Sequence, residues 1–136
     1  MSNMIPSGNY VIQNVLYSER YTAMAGPDNN SEVVGHDVPN TIKVDVLDLI
    51  SHLATLYDTN KGKYITIENG LVVGRDEPQV LQLSSEDGEN FTIHEQDINL
   101  VGQLPDGGNW TPVIAAPAPH PGVEGSTRKY WKFVPA

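Results

Sequence analysis

Histidines and carboxylates are the side chains of this sequence that could carry out acid–base or metal chemistry. The four histidines stand apart from one another: His36, His52, His94 and His120. None is at the spacing of a two-histidine metal motif such as H-E-x-x-H. His36-Asp37 and His94-Glu95 are adjacent pairs, and neighbours on a strand point to opposite faces of a sheet. The histidines therefore predict neither a metal site nor an acid–base dyad.

The oxygen-rich segment Asp28–Glu32 is the part of the chain most similar to a calcium-binding loop. It lacks the sixth-position glycine and the distant glutamate that such a loop requires, so we expect a solvated turn. No serine has a G-x-S-x-G context. The chain contains no cysteine, which excludes disulfides, thiol catalysis and cysteine-ligated zinc. We therefore predict a protein that is not an enzyme and that uses no metal and no cofactor.

Length and charge limit the remaining function classes. A chain of 136 residues and 14.9 kDa has the size of one domain. Its formal charge of -9 argues against nucleic acid or an anionic membrane as a partner, because both are bound through clustered Lys and Arg. No apolar run approaches the roughly 20 residues that span a bilayer. The segment Met1–Gly8 has no features of a signal peptide, so we expect a cytoplasmic protein.

Turn signals divide the chain into many short antiparallel strands. Asn69-Gly70 is the strongest hairpin signal, because both central positions of its turn require positive φ. Asp87-Gly88 and Asn60–Gly62 predict two further hairpins. The segment Ile42–Leu53 also contains apolar residues at helical spacing, but its first half alternates. We predict a strand to about Leu47, followed by a turn or a short 3₁₀ helix.

A strand-opening phrase occurs three times, in Gly8–Ile12, Gly62–Ile67 and Gly88–Ile93. Each copy is followed by an apolar run that ends in glycine: Ala23–Gly26, Leu71–Gly74 and Asn99–Gly102. The fourth strands of the three units would be Leu53–Tyr57, Val80–Ser84 and Tyr130–Val134. Three such units predict an all-β fold, a β-trefoil with a barrel and a hairpin cap, formed by residues 1–136 as a single domain. The middle unit is shortened, with a vestigial third strand near Glu77-Pro78. A small β-sandwich is the alternative.

Three segments resemble the small β-trefoil proteins of mushrooms: Ser7–Asn14, Asp58–Tyr64 and Tyr130–Phe133. That group includes R-type lectins and several families of protease inhibitor. The chain is most similar to the cocaprins and more distantly to the mycocypins. Similarity to the cocaprins implies inhibition of papain-like cysteine proteases and of pepsin-like aspartic proteases, and association as a homodimer.

The Gln-x-Trp motif of β-trefoil lectins bears on the lectin alternative. Its predicted equivalents here are Leu53–Thr55, Gln79–Leu81 and Lys129–Trp131, so glutamine and tryptophan never coincide. This departure from the motif weakens the lectin interpretation.

Function is then expected in the loops that the strands support. The first candidate follows the second strand, where the resemblance implies a protease-binding loop formed by Gly26, Pro27, Asp28, Asn29, Asn30 and Ser31. A second candidate is the proline run Ala115–Gly122, which we expect to be extended and unable to pair in a sheet. Lys61, Arg75 and Arg128 are the basic residues that could serve a trypsin inhibitor.

We predict a protease inhibitor that occludes the active-site cleft of papain-like cysteine proteases. A separate surface would contact pepsin-like aspartic proteases. The alternative is a carbohydrate-binding lectin in which Asn109 and Trp110 contact the glycan.

Overall fold

The structure, a computed structural model, describes residues 4–136. Residues 1–3, which begin the N-terminal segment discussed above, lie outside the described residues. The strands are β1 (Gly8–Asn14), β2 (Tyr21–Met24), β3 (Val33–His36), β4 (Ile42–Asp48), β5 (Leu53–Asp58), β6 (Lys63–Glu68), β7 (Leu71–Arg75), β8 (Leu81–Ser84), β9 (Thr92–Glu95), β10 (Leu100–Gln103), β11 (Thr111–Pro112), β12 (Ile114–Pro117) and β13 (Trp131–Pro135). The described helix is a single 3₁₀ turn, Ser126–Lys129. None of the described helical structure is long and apolar enough to cross a membrane.

The strands form three units, β1–β4, β5–β8 and β9–β13. Within the first two units the opening strand pairs with the closing strand, β1 with β4 and β5 with β8. In the third unit Phe91, the residue before β9, forms a bridge with Trp131 of β13. Between units, β4 pairs with β5, β8 with β9 and β13 with β1, so these strands close into a barrel. The hairpins β2–β3, β6–β7 and β10–β12 cap one end. The predicted β-trefoil is confirmed, and the middle unit is the shortest.

The predicted boundaries of the units were wrong in the first two units. The predicted closing strand Leu53–Tyr57 lies in Leu53–Asp58, which is the opening strand of the second unit, and the first unit closes with Ile42–Asp48. The third strand of the middle unit is Leu71–Arg75 and is fully formed. The error arose because every hairpin of this fold has the same local pattern, so glycine-opened phrases mark turns without marking where a unit begins.

The predicted hairpins are confirmed. Asn69 and Gly70 have φ of 52° and 79°, and they join β6 to β7 in register. Asn60–Gly62 joins β5 to β6, and Asp87-Gly88 lies between β8 and β9. The ambiguous segment is a strand to Asp48 followed by a turn, as expected.

The core lies where the barrel meets its cap. The first residue of each closing strand is buried there, at Ile42, Leu81 and Trp131. These positions define the true Gln-x-Trp equivalents, of which the first is Asn40–Ile42 rather than Leu53–Thr55. Only Trp131 retains the tryptophan, and its indole Nε1 donates a hydrogen bond to the Gly102 carbonyl at 2.8 Å.

Aromatic rings fill the barrel beside Trp131. Phe133 makes edge-on contacts with Tyr10 and Phe91, at centroid distances of 6.1 and 5.5 Å. The Tyr10 hydroxyl donates to the Pro6 carbonyl at 2.8 Å, and burial raises the pKa of Tyr10. These contacts tie the first and last strands together.

One buried hydroxyl has no hydrogen-bond partner among the described residues. Thr22 is 3% exposed, and its Oγ1 faces no donor or acceptor of the protein. It borders an apolar cavity of about 20 Å³ to which all three units contribute. An unpaired buried hydroxyl lowers stability.

Thr22→Val should therefore raise the free energy of unfolding by about 1 kcal/mol, because it removes an unpaired hydroxyl and keeps the volume. The matched control is Thr66→Val, since Thr66 Oγ1 donates to the Val73 carbonyl at 3.1 Å; this variant should be destabilised by roughly 1 kcal/mol. Urea denaturation of both variants measures the difference. A destabilised Thr22→Val variant would mean that the cavity holds a water bonded to the hydroxyl.

Candidate functional site

Two capping hairpins end in tips that dock in the same way on the third strand of the following unit. The tip of β2–β3 lies on β7, where the Asn30 N–H donates to the Gly74 carbonyl at 2.8 Å. The tip that follows β10 lies on β3, where the Trp110 N–H donates to the Gly35 carbonyl at 2.8 Å. Asn30 and Trp110 have the same positive φ of 68°. We call these contacts the Asn30 junction and the Trp110 junction.

The two predicted functional loops are thus equivalent positions of one repeated feature. The predicted protease-binding loop (Gly26 to Ser31) contains Asn29 and Asn30, and the predicted glycan-binding pair is Asn109 and Trp110. In both, the residue after the positive-φ position donates its N–H back to a carbonyl three residues earlier, Ser31 to Asp28 at 3.2 Å and Thr111 to Gly108 at 3.4 Å. The structure does not bring the two loops together into one site.

The strands on which these tips dock also carry a repeat that the sequence reasoning missed. Val33–Ile42 reads VVGHDVPNTI and Val72–Leu81 reads VVGRDEPQVL. His36 and Arg75 are equivalent, because each is the fourth residue of the shared pattern and pairs with a tyrosine of the preceding strand, Tyr21 or Tyr64. The shared V-V-G-x-D-x-P pattern marks the third strand of the first two units and places their boundaries, whereas the strand-opening phrases do not.

Both shared glycines lie where the side chain of the docking hairpin comes close to the strand. A Cβ on Gly35 would lie 2.8 Å from Leu104 Cδ2, and a Cβ on Gly74 would lie 2.7 Å from Met24 Sδ. Neither glycine has a positive φ, so the requirement is steric. The glycines let each hairpin pack directly against the next unit.

Gly35→Ala should lower the free energy of unfolding by about 1–3 kcal/mol, because the added methyl group overpacks buried Leu104. Gly74→Ala should cost less, since the Met24 side chain is flexible. Gly122→Ala is the control, as nothing lies within 4 Å of its added Cβ. Equal stability of the Gly35 and Gly122 variants in denaturant titrations would contradict this steric account.

The Trp110 junction presents an exposed aromatic ring beside polar groups. The Trp110 ring is 55% exposed and rests on the His36 imidazole, with ring centroids 4.1 Å apart. His36 Nδ1 accepts a hydrogen bond from the Val38 N–H at 3.0 Å. Asp37, whose side chain is 55% exposed, donates its backbone N–H to Asn109 Oδ1 at 3.0 Å. An aromatic surface, a carboxylate and a side-chain amide therefore lie together.

Contacts with Arg20 and Tyr17 support the loop that carries Trp110. Arg20 Nε donates to the Gly107 carbonyl at 2.8 Å, and a Cβ on Gly107 would lie 2.7 Å from the Tyr17 ring. Thr111 Oγ1 donates to the Gly108 carbonyl at 2.7 Å. These contacts hold the loop in one conformation before any ligand binds.

Trp110 adopts a backbone conformation that its type disfavours. A left-handed φ costs a bulky residue on the order of 1–3 kcal/mol, whereas asparagine tolerates it well. The equivalent residue at the other junction is asparagine, as that preference predicts. The tryptophan is therefore held in place at a cost in stability.

At the Asn30 junction the polar side chains form ion pairs and hydrogen bonds with one another, although Arg75 Nε is buried without a hydrogen-bond partner among the described residues. Lys63 Nζ forms an ion pair with Asp76, and Asn29 Nδ2 donates to Asp76 Oδ2 at 3.2 Å. The hydrogen bond from Lys63 and then that from Asn29 lower the pKa of Asp76. Arg75 pairs with Glu68. This junction has the carboxylate of the first but no exposed aromatic ring.

In the third unit the equivalent position is apolar. Pro117 pairs with Leu100, as His36 pairs with Tyr21. The expectation that Ala115–Gly122 cannot pair was wrong for its first residues, because Ala115–Pro117 belong to β12. Pro117 ends the strand, where its missing N–H is tolerated. Beyond the strand, Lys129 Nζ donates to the Pro119 carbonyl at 3.1 Å.

Arg128 and His94, two further candidates from the sequence, make contacts within the protein. Arg128 Nε donates to Gln103 Oε1 at 3.2 Å. His94 Nε2 lies 2.8 Å from Ser84 Oγ, and its Nδ1 lies 2.8 Å from the Glu95 carbonyl oxygen. Within residues 4–136, no three His, Asp or Glu side chains are grouped so that they could hold a metal ion.

The comparisons with solved structures identify the class of fold. The Rhizoctonia solani agglutinin matches with a TM-score of 0.79 and 20% identity, over 97% of this chain and 97% of that one. The Macrolepiota procera ricin B-like lectin in complex with lactose matches with a TM-score of 0.78 and 17% identity, over 98% and 99%. The designed three-fold symmetric protein ThreeFoil matches with a TM-score of 0.77 and 13% identity, over 95% and 99%.

At these identities the likeness establishes a β-trefoil protein that resembles fungal lectins in fold. No family model matches the sequence, and no curated protein matches it.

Proposed function

We propose that this protein binds carbohydrate at the Trp110 junction. The observation that carries the proposal is the exposed side chain of Trp110, which packs against His36 with the rings tilted by 49° and has a disfavoured backbone conformation. Strain of this kind persists where the surrounding structure maintains it, and it concentrates at functional sites. The Rhizoctonia solani agglutinin and the Macrolepiota procera lectin share this fold over nearly the whole chain, and this likeness also favours carbohydrate binding.

The chemistry of the junction suits a sugar. The apolar C–H face of a pyranose packs on an aromatic ring, while its hydroxyls need acceptors and donors nearby. The Asp37 carboxylate accepts hydrogen bonds, and the Asn109 amide supplies donors. Because the loop is braced beforehand, little conformational entropy is lost on binding.

Trp110→Asn separates function from folding. Asparagine suits the left-handed backbone, so the free energy of unfolding should stay the same or rise by about 1 kcal/mol. Glycan binding should fall roughly tenfold or more, because the stacking surface is lost. A glycan array that includes lactose, followed by calorimetry, measures this effect, with Val123→Asn as the exposed control. Undiminished glycan binding by Trp110→Asn would exclude this site, and an empty array with the wild-type protein would exclude the function.

Protease inhibition is the second candidate function, and the loop from Gly26 to Ser31 favours it. Its residues Pro27–Asn30 are exposed, while its base is held to β7 by the Asn30 bond and by the Gly74 N–H, which donates to the Ser31 carbonyl at 2.9 Å. A projecting loop held in this way can enter a cleft with little loss of entropy.

The proposed targets are papain-like cysteine proteases, with pepsin-like aspartic proteases bound by another surface. We also propose a cytoplasmic protein that can form a homodimer.

Replacing Pro27, Asp28 and Asn29 by glycines keeps Asn30 and Ser31, and so keeps the anchor of the loop. If the loop inhibits papain, this variant should lose inhibition at least tenfold while its circular dichroism spectrum is unchanged. Lys61→Gly, at the tip of another hairpin, is the control. Full inhibition by the glycine variant would remove the loop from the candidate contacts.

A further inference from the structure

The residues at the end of strand β3 contact both residues of the predicted glycan site. The Gly35 carbonyl accepts the Trp110 N–H at 2.8 Å, and the His36 ring packs against the Trp110 ring with centroids 4.1 Å apart. The Asp37 N–H donates to Asn109 Oδ1 at 3.0 Å. A rearrangement of this short segment therefore changes the support of both Asn109 and Trp110.

The hydrogen bonds of His36 define which ring nitrogen carries the proton. Nδ1 accepts the Val38 N–H at 3.0 Å, and this bond assigns the ring proton to Nε2. The His36 side chain is only 17% exposed. The ring that supports Trp110 is therefore a neutral imidazole, and the lone pair of its Nδ1 holds it in place.

Protonation changes the partners of this nitrogen. A protonated Nδ1 is a donor, so it can no longer accept the Val38 N–H. Two acceptors already lie close to it, Asp37 Oδ1 at 3.4 Å and the Val38 carbonyl oxygen at 3.3 Å. Hydrogen bonds between charged groups are the stronger ones, so the imidazolium would pair with the Asp37 carboxylate and release the Val38 N–H.

The elements around the His36 ring contribute few competing charges. Strand β2, the chain before it and the loop that carries Trp110 supply three further charged or titratable groups: Arg20, Tyr21 and Asp106. Arg20 Nε donates to the Gly107 carbonyl, so this cation is engaged by the loop. Among residues 4–136, Asp37 is the carboxylate that contacts the imidazole, and it is therefore the partner available to a protonated ring.

The equivalent position of the second unit carries a permanent cation. Arg75 occupies the place of His36 and pairs with Glu68, and the residue at the hairpin tip is Asn30 instead of a tryptophan. Histidine differs from arginine in that its charge changes between about pH 5 and pH 8. The junction with the exposed aromatic ring is thus the one that has a titratable side chain at this position.

We propose that His36 positions Trp110 and Asp37 for glycan binding in its neutral form and that protonation of His36 weakens the site. This inference rests on the proposed carbohydrate function and adds the regulation of that same site. An imidazolium that pairs with Asp37 takes the carboxylate away from the sugar hydroxyls. Release of the Val38 N–H also disturbs the segment that holds Asn109. Glycan affinity should therefore fall as the pH falls through the histidine range, from about pH 8 to about pH 5.5.

The first test requires no glycan. A protonated imidazole in contact with an indole ring quenches its fluorescence, so tryptophan emission should show a step between about pH 8 and pH 5.5. This range stays above the isoelectric point of the chain, near 4.6. His36→Asn should abolish the step, because the asparagine Oδ1 can accept the Val38 N–H in place of Nδ1 but cannot be protonated. His120→Asn, the same change at an exposed histidine, is the control and should keep the step.

The second test repeats the glycan array that includes lactose at the two ends of this pH range. Binding by the wild-type protein should be roughly tenfold weaker at the lower pH, because a hydrogen bond to a charged acceptor is lost. Binding by His36→Asn should be the same at both pH values, while His120→Asn should follow the wild-type protein. Circular dichroism at each pH verifies folding.

The outcomes separate the inference from the function on which it rests. A fluorescence step that the wild-type protein lacks, or that persists in His36→Asn, overturns the role of His36 and leaves carbohydrate binding standing. Wild-type glycan binding that is equal at both pH values overturns the regulation and also leaves the function standing. An array that stays empty at both pH values overturns the function and the inference together, whether or not the step is present.

Discussion

The contact between each hairpin tip and the third strand of the next unit is the constraint on which the rest of this structure depends. A two-stranded hairpin by itself is barely stable in water, so each hairpin needs its neighbour. The N–H groups of Asn30 and Trp110 reach the carbonyls of Gly74 and Gly35, and the two glycines leave room for Met24 and Leu104. Neighbouring hairpins of the cap therefore stabilise one another, and the barrel lies next to the cap.

The same constraint explains where functional chemistry can arise. The junction occurs at two hairpin tips, and the strand position on which it rests has an equivalent in all three units. The side chains at this position differ between the units. One copy has become aromatic at Trp110 and His36, one is an ion-paired network around Asp76, and one is apolar at Pro117. Only the first leaves a large ring exposed, and there the Asp37 carboxylate lies 3.4 Å from His36 Nδ1. The three units therefore differ in side-chain chemistry on one backbone.

The two ends of the barrel differ in how their loops are held. At the cap, long-range main-chain bonds between units hold the loops. At the open end, the bulge at Leu47 and the side chain of Asp48 hold the turn between β4 and β5. Because different contacts hold the loops at the two ends, loops at one end can change without disturbing those at the other. One small domain can therefore present separate surfaces at opposite ends.

The sequence by itself determined the all-β class, the hairpins and the three-unit plan, because turns such as Asn69-Gly70 and alternating strands are local signals. It could not place the unit boundaries, since each hairpin has the same local pattern, and Leu53–Asp58 was assigned to the wrong unit. Trp110 and the loop around Asn30 were both singled out from sequence, but their equivalence was not. Only the tertiary structure packs Trp110 against His36 and sets Asn109 beside Asp37, because pairing across units joins residues that are distant in the chain.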